Sequence, residues 1–462
     1  MKTLPIGKSS FESIRTGEEL YVDKTRHIFK MIAGGDYYFL SRPRRFGKSL
    51  TVSTLRCLFE GKRELFDGLW ISQHGEWAWD AHTVVLIDFN GISHDTPEQL
   101  KEGVDDCIRQ TGSAFDVQLQ RPFLKERFKE LILALHRTTG RTVVILVDEY
   151  DKPLIDHLGK GENAMEIAKG NRDVLKDVFG VLKGVNVSPC LRFVFFTGVS
   201  KFSQASIFSG LNNLTDITTN RHYAEMLGYT QEELETCFEA HIREFAAECG
   251  LTPEAVIEGL RDHYNGYRFS EKDVRVYNPF SVLRALSEQA FKHYWFETGT
   301  PTFLVNLIRD ANWQPPQIEN IKATETMFST YDLDDLKPEA ILFQTGYVTI
   351  KDVRGRLFTF DYPNREVKTA FLETLFLSYA KGMADRSRFV LLAEYLLAED
   401  VDAFIETVSA IFASIPYTLE TKRDEAYFHT LFYLMVSASG ADARTEVLGY
   451  RGRIDLVVGF SD

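Results

Sequence analysis

The chain has 462 residues, 44% of them apolar and 26% charged, with a formal charge of −13. That length suits about two to four domains with a real core, and the acidic balance excludes a surface coated in basic residues for nucleic acid, leaving room only for a local basic groove. No apolar run reaches the roughly 18 residues of a spanning helix, the opening MKTLPIGKSSFESIR has no apolar signal core, and the five scattered cysteines, without a CxxC pair, read as reduced thiols of a cytoplasmic protein with no membrane contact.

Taken in order, Asp23 stands where it caps a helix, KTRHIFKMIA, that Gly34-Gly35 ends. The segment Tyr21 to Thr25 has two readings: a border of a nucleotide base, or plain capping and packing. Tyr37 to Leu40 is a short buried strand. After it come Arg42-Pro43-Arg44-Arg45-Phe46, then Gly47-Lys48-Ser49, then a helical run from Leu50 to Phe59. Strand, loop, Gly-Lys-Ser, helix is the layout of a phosphate-binding loop, because a polyphosphate needs inward-pointing N–H groups at the positive end of a helix. In that role Arg44 to Leu50 line the phosphates, Lys48 supplies a point charge to the β- and γ-phosphates, and Ser49 offers a hydroxyl to Mg²⁺. The general pattern has a glycine five residues before Gly47; here that residue is Arg42, and Pro43 has no N–H to give.

Thr83 to Phe89 reads as a second strand ending in Asp88. Asp95 or Thr96 caps a helix over 97–111, and residues 122–138 form a periodic helix that Gly140 ends. TVVILVDEYD, residues 142–151, is a strand buried on both faces that ends in Asp148-Glu149. At such a strand end one acid holds Mg²⁺ and the next, Glu149, polarises the attacking water. A helical region over 163–184 leads to another strand, Leu191 to Thr197. Strands alternating with helices imply a parallel α/β sheet that binds ligands at the carboxyl ends of its strands. Thr197, Ser200 and Lys201 are candidates there for sensing a γ-phosphate.

From Thr230, whose capping box with Glu233 opens a helix over 231–249, the pattern turns helical. The Tyr-rich stretch 262–280 reads as packing first and base stacking second. A helix at 337–344 followed by GYVTI and RLFTF resembles a winged-helix hairpin, and 364–413 is helical again. A helix from Lys422 to Ser439 then carries Glu425 and His429, and two strands carry Glu446 and Asp455. Those three acids form a candidate hard-cation set, set against the plainer reading of three solvated or paired carboxylates. Arg44, Arg45, Arg192 and Arg221 are alternatives for an arginine finger.

Several segments, among them LPIGKSSFESIR, YVDKT, FLSRPRRFGKSL, VVILVDEYDKP, FTGVSKFSQASIFSGLNNL, VYNPFS, ETGTP, LFQTGY and GRIDLVV, resemble a family that joins an AAA-ATPase-like domain to a C-terminal PD-(D/E)xK nuclease-like domain. The resemblance implies a P-loop ATPase sheet at 1–225, a helical lid or linker at 226–330, a winged-helix-like and helical connector at 331–420, and a partial nuclease-like fold at 421–462. It implies ATP and Mg²⁺ as cofactors, and DNA or RNA and a second copy of the chain as partners to consider. Asp455 would be the first acid of the nuclease motif and Glu425 the helix acid. The required Lys is not among the seven residues after Asp455, so the expectation is a longer natural protein, and no nuclease activity from this chain. The expected function is ATP binding and hydrolysis that controls a nuclease-like part. The alternative is a nucleotide-gated switch with little turnover and an inactive nuclease fold.

Overall fold

Four apolar runs, each rich in β-branched and aromatic residues and bounded by polar turns, pair into one parallel sheet that a short polar fifth strand extends at one edge. The strands are β1 (Tyr37–Ser41), β2 (Thr83–Asp88), β3 (Val143–Asp148), β4 (Leu191–Gly198) and the short β5 (Thr215–Asp216). The computed structural model describes residues 1–201, 207–208, 210–295, 304–305, 307–308, 318–329, 333, 336–379, 387–414, 425–439, 441–449 and 452–459.

Across the sheet the order is β2-β3-β4-β1-β5. Every pairing in this sheet is parallel, so β4 is inserted between β1 and the strand that ends in acids. Both β1 and β3 are buried along their whole length, whereas the edge strand β2 alternates. This is the burial expected of central and edge strands when helices cover both faces. Leu40 pairs with Thr197, Val147 with Phe196 and Asp88 with Asp148. The register therefore brings the loop after β1, the acids after β3 and Thr197 to one level at the carboxyl edge.

Residues 229–294 build a second, smaller core from Leu234, Phe238, Ile242, Val256, Leu260, Tyr264, Tyr277, Val282 and Leu286, closed by Leu20 and Val22 from ahead of the sheet. The capping box of Thr230 and Glu233 forms. The single helix expected over 231–249 is instead two, Gln231–Cys237 and Glu239–Cys249. The backbone leaves helical geometry at Phe238 (φ −111°, ψ 10°), whose ring is fully buried and packs on Tyr229. Tyr264, Tyr267 and Tyr277 are fully buried, so this Tyr stripe packs and does not stack bases.

The hairpin at 349–361 forms as β7 (Thr349–Arg354) and β8 (Leu357–Asp361). It gains a third strand, β6 (Ile321–Thr324), on the β8 side. At the C-terminus β9 (Asp442–Gly449) and β10 (Gly452–Gly459) make an antiparallel hairpin behind the helix Glu425–Ala438. The start expected for that helix at Lys422 lies outside the described residues.

These later elements grip the loop after β1 from behind. The Phe46 ring is 1% exposed and packs edge-on against Tyr267 at 4.8 Å and Phe269 at 5.4 Å. Trp295 Nε1 donates to the Arg44 carbonyl at 3.0 Å. Gly346 makes room for the Pro43 ring, since a methyl there would stand 2.6 Å from Pro43 Cβ and Cγ. Trp295→Phe keeps an aromatic ring but removes the donor and part of the buried indole, so it should lower stability by at least about 1–2 kcal/mol in urea unfolding. A midpoint equal to that of the parent chain would mean the bond does not hold the loop.

Candidate functional site

Gly47 caps the helix Lys48–Phe59 in the left-handed conformation (φ 89°, ψ 22°), which a glycine adopts without strain. The first N–H groups of that helix have no partners within it and face the end of the loop. Arg45 is also left-handed, at φ 66°, an uncommon state for a residue with a side chain. Its exposed guanidinium lies 4.9 Å over the Phe280 ring.

Arg42, in place of the expected glycine, does not face the cavity. It is 1% exposed, and its guanidinium donates to the carbonyls of Ser41 (2.9 Å), Thr218 (2.6 Å) and Tyr223 (3.4 Å). The Phe269 ring lies 4.3 Å away. Burial lowers its pKa to about 9, opposed by the charge of Asp216, so it stays cationic at neutral pH. The Lys48 ammonium donates to the carbonyls of Arg42 and Pro43, each at 3.0 Å. Burial lowers its pKa, while Glu149, Asp148 and Asp151 pull it back up.

At the end of β3, Asp148 is 4% exposed, and its Oδ1 has no protein partner among the described residues. Burial pushes its carboxyl up to about 6, and hydrogen bonding from Ser49 and the charge of Lys48 oppose that shift. Glu149 follows at φ 52°. Such strain in a non-glycine residue persists only where surrounding contacts impose it, and it clusters at functional sites. Thr197, one residue before the end of β4, is fully buried, and its Oγ1 also lacks a protein partner among the described residues. Of the other two sensing candidates, Ser200 Oγ donates to Asp151 Oδ2 at 2.6 Å and Lys201 Nζ pairs with Asp216 at 2.6 Å.

A cavity of about 440 Å³ opens over this edge. Arg44, Arg45, Gly47, Lys48, Ser49, Leu50 and Glu149 line it, together with Asp151 and Val199. Phe46, Asp148 and Thr197 are buried and are not among the residues that line it. The opposite wall comes from far along the chain: Pro5 to Ser9 before the sheet, and Tyr229, Phe280 and Leu283 from the helical region. Tyr21 packs edge-on against Phe11. Asp23 accepts from Thr25 N at 2.8 Å and Trp70 N at 2.6 Å. The N-cap of the helix Thr25–Gly34 is Lys24 and not the expected Asp23, which stands one residue earlier and takes the first helical N–H, and neither Tyr21 nor Asp23 lines the cavity. Arg192 pairs with Asp36 at the opposite end of the sheet, and Arg221 pairs with Glu271 outside the cavity. Of the four candidate arginines, Arg44 and Arg45 line it.

Residues 5–208 match the AAA-ATPase-like family, described as "Predicted AAA-ATPase". A protein of Azotobacter chroococcum mcd 1, described as an uncharacterized protein in the vnfD 5′ region, is 38% identical over 471 aligned positions, which take in all of this chain and 87% of that protein. The chain carries an AAA-ATPase-like domain over residues 5–208.

Among the C-terminal acids, Glu425 does not line the cavity. Glu425 is exposed at the first turn of its helix. The pairs Ile454 with Val447 and Leu456 with Thr445 set Asp455 opposite Glu446 on the hairpin, while the side chains of both lie outside the described residues. All five cysteines are free. No helix among the described residues is long and apolar enough to cross a membrane.

Sequence reading missed Asp151, the Pro5–Ser9 wall and Phe280. Asp151 stood three residues past Asp148 as one more strand-end acid, and nothing local marked it as buried. The other two come together with the loop only through tertiary packing.

The Asp148 carboxyl, raised from 3.8 to about 6, takes up a proton in the fold before it does in the unfolded chain. Across roughly pH 4–6 the folded state thus holds more protons, and stability falls as pH rises through that window. In metal-free protein Asp148→Asn should remove part of this slope and gain on the order of 1–3 kcal/mol at pH 7.5. Calorimetric melting at pH 4.5 and 7.5 checks this; a slope like that of the parent chain would rule out a buried-charge penalty at Asp148.

Proposed function

We propose that this protein binds ATP with Mg²⁺ at the loop after β1, hydrolyses it, and passes its nucleotide state to the C-terminal half. The observation that carries this is the gathering of Gly47-Lys48-Ser49, at the start of a helix, with Asp148-Glu149 at one carboxyl edge of a parallel sheet whose β4 lies between β1 and β3.

In this role the free N–H groups at the start of the helix and the Lys48 ammonium bind the phosphates. Ser49 and Asp148 suit Mg²⁺: a hydroxyl and a carboxylate are hard oxygen donors, and Asp148 Oδ1 is buried without a protein partner among the described residues. The ion, when bound, supplies charge to neutralise the phosphates. Glu149 lines the cavity and polarises the attacking water as general base. Arg44 and Arg45 add positive charge at the rim.

Transmission to the C-terminal half rests on the contacts of Phe46, Arg44 and Pro43 with Tyr267, Trp295 and Gly346. The main chain of Lys201 adds a bond to Gln344 Oε1 at 2.6 Å. We keep 1–225, 226–330, 331–420 and 421–462 as the working division. The resemblance of the last segment to a nuclease-like fold, together with Glu446 opposite Asp455 on the hairpin, supports DNA or RNA as the eventual target. A second reading, a nucleotide-gated switch with little turnover, is favoured by the grip on the loop, since a clamped loop suits a change of shape.

Lys48→Ala should abolish binding of Mg²⁺–ATP and its hydrolysis. Glu149→Gln should keep binding within a few-fold and slow turnover by about 10²–10⁴-fold. Phosphate release and equilibrium binding, with and without DNA, measure both. Turnover by Glu149→Gln equal to that of the parent chain removes the assigned base. Tight binding without turnover in the parent chain selects the switch. Binding unaffected by Lys48→Ala sinks the site.

A further inference from the structure

Asp151 has no part in the roles above, yet its carboxylate is 1% exposed and fully engaged. Its Oδ1 accepts from Val199 N at 3.2 Å, and its Oδ2 accepts from Ser200 N and Ser200 Oγ, each at 2.6 Å. The neighbouring Tyr150 adds two bonds: its N–H donates to the Thr197 carbonyl at 3.1 Å and its hydroxyl to the Ser200 carbonyl at 3.0 Å. Five hydrogen bonds therefore tie the turn after β3 to the turn after β4.

The fit leaves no slack. A methyl on Gly198 would overlap Asp151 Oδ1 and lie 2.8 Å from both Asp151 Cγ and Tyr150 Cδ1. Both Asp151 oxygens accept from main-chain N–H groups, so an amide, which has one acceptor and one donor, cannot replace the carboxylate without setting a donor against a donor. The tie also spans the residues that matter. Glu149 leads the β3 turn, and Thr197, whose buried Oγ1 has no protein partner among the described residues, lies one residue before the end of β4. Asp151 and Val199 both line the cavity beside Lys48 and Glu149.

We infer that Asp151 is a positioning residue of the nucleotide site, which fixes the β4 turn and Thr197 relative to Glu149 so that the site distinguishes a nucleoside triphosphate from a diphosphate. This rests on the nucleotide reading above. Asp151 acts through the turn it holds; the groups that meet the γ-phosphate belong to its neighbours. Small displacements at this edge weigh heavily, since a shift of about 1 Å in a reacting constellation can lower the rate by roughly 10²-fold.

The test compares the parent chain, Asp151→Asn, Gly198→Ala and the double variant. It measures binding of ATP and ADP with Mg²⁺, phosphate release and melting temperature. Asp151→Asn should bind ADP within about threefold of the parent chain. It should lose about tenfold or more of the preference for ATP over ADP, and kcat should fall by about tenfold or more. Gly198→Ala reaches the same carboxylate from the other side and should reproduce this pattern, even if Asp151→Asn does not fold. The double variant should be no worse than the more impaired single variant, as for two changes that break one lock. Equal weakening of ATP and ADP, unchanged preference, or additive losses would each overturn the positioning role. A parent chain that binds neither nucleotide would instead overturn the nucleotide reading itself. One that binds but does not hydrolyse leaves the ATP-over-ADP ratio to decide.

Discussion

A buried cation holds the loop after β1 in place. Arg42 carries its charge at 1% exposure, and no carboxylate among the described residues pairs with it directly. Its compensation is three carbonyl dipoles and the face of Phe269 at 4.3 Å. Taking a charge out of water without such partners is prohibitive, so those carbonyls cannot move far while Arg42 stays inside. They belong to Ser41 at the end of β1, and to Thr218 and Tyr223 just beyond β5. The first residue of the loop is thereby pinned to the edge of the sheet and to the segment that carries Phe269.

Other features of the loop follow from that anchor. With Arg42 turned inward, its carbonyl and that of Pro43 are placed to receive the Lys48 ammonium. The chain then climbs through Arg45 in a left-handed conformation to Gly47, where the helix begins. A glycine-rich loop takes its shape from backbone freedom. This one has bulky residues at four consecutive positions, Pro43 to Phe46, and takes its shape from what surrounds it. The Phe46 ring fills a hole between Tyr267 and Phe269, and Pro43 rests on Gly346.

The strands were legible because β-branched and aromatic residues concentrate in short runs: β2 and β3 fall within one residue of the apolar stretches that announce them. Thr230 with Glu233, and Gly140, also read true, since caps act over a few neighbouring residues. The break at Phe238 was not legible, because the helical pattern runs through it and only burial against Tyr229 explains the turn. β6 was missed for a related reason: IKAT is four residues with two inward positions, too short to announce a strand before β8 is there to pair with it. In the site, Lys48, Ser49 and Glu149 could be named from local chemistry. The far wall could not. Trp295 and Arg44 are 251 residues apart, and Phe280 meets Arg45 across a similar span, so no window on the sequence contains either pair.

Arg42 therefore has a different meaning in the fold than in the sequence. As a residue in a motif it looks like a lost glycine. In the structure it exchanges intrinsic loop flexibility for tertiary restraint, and restraint works in both directions. A loop that borrows its shape from Phe269, Trp295 and Gly346 cannot adjust to a phosphate without loading those contacts, and a shift in those contacts must in turn reshape the loop. Linkage makes the two effects equal in free energy. In the proposed nucleotide role, coupling of the site to Phe269, Trp295 and Gly346 follows from how the loop is held, with no separate relay.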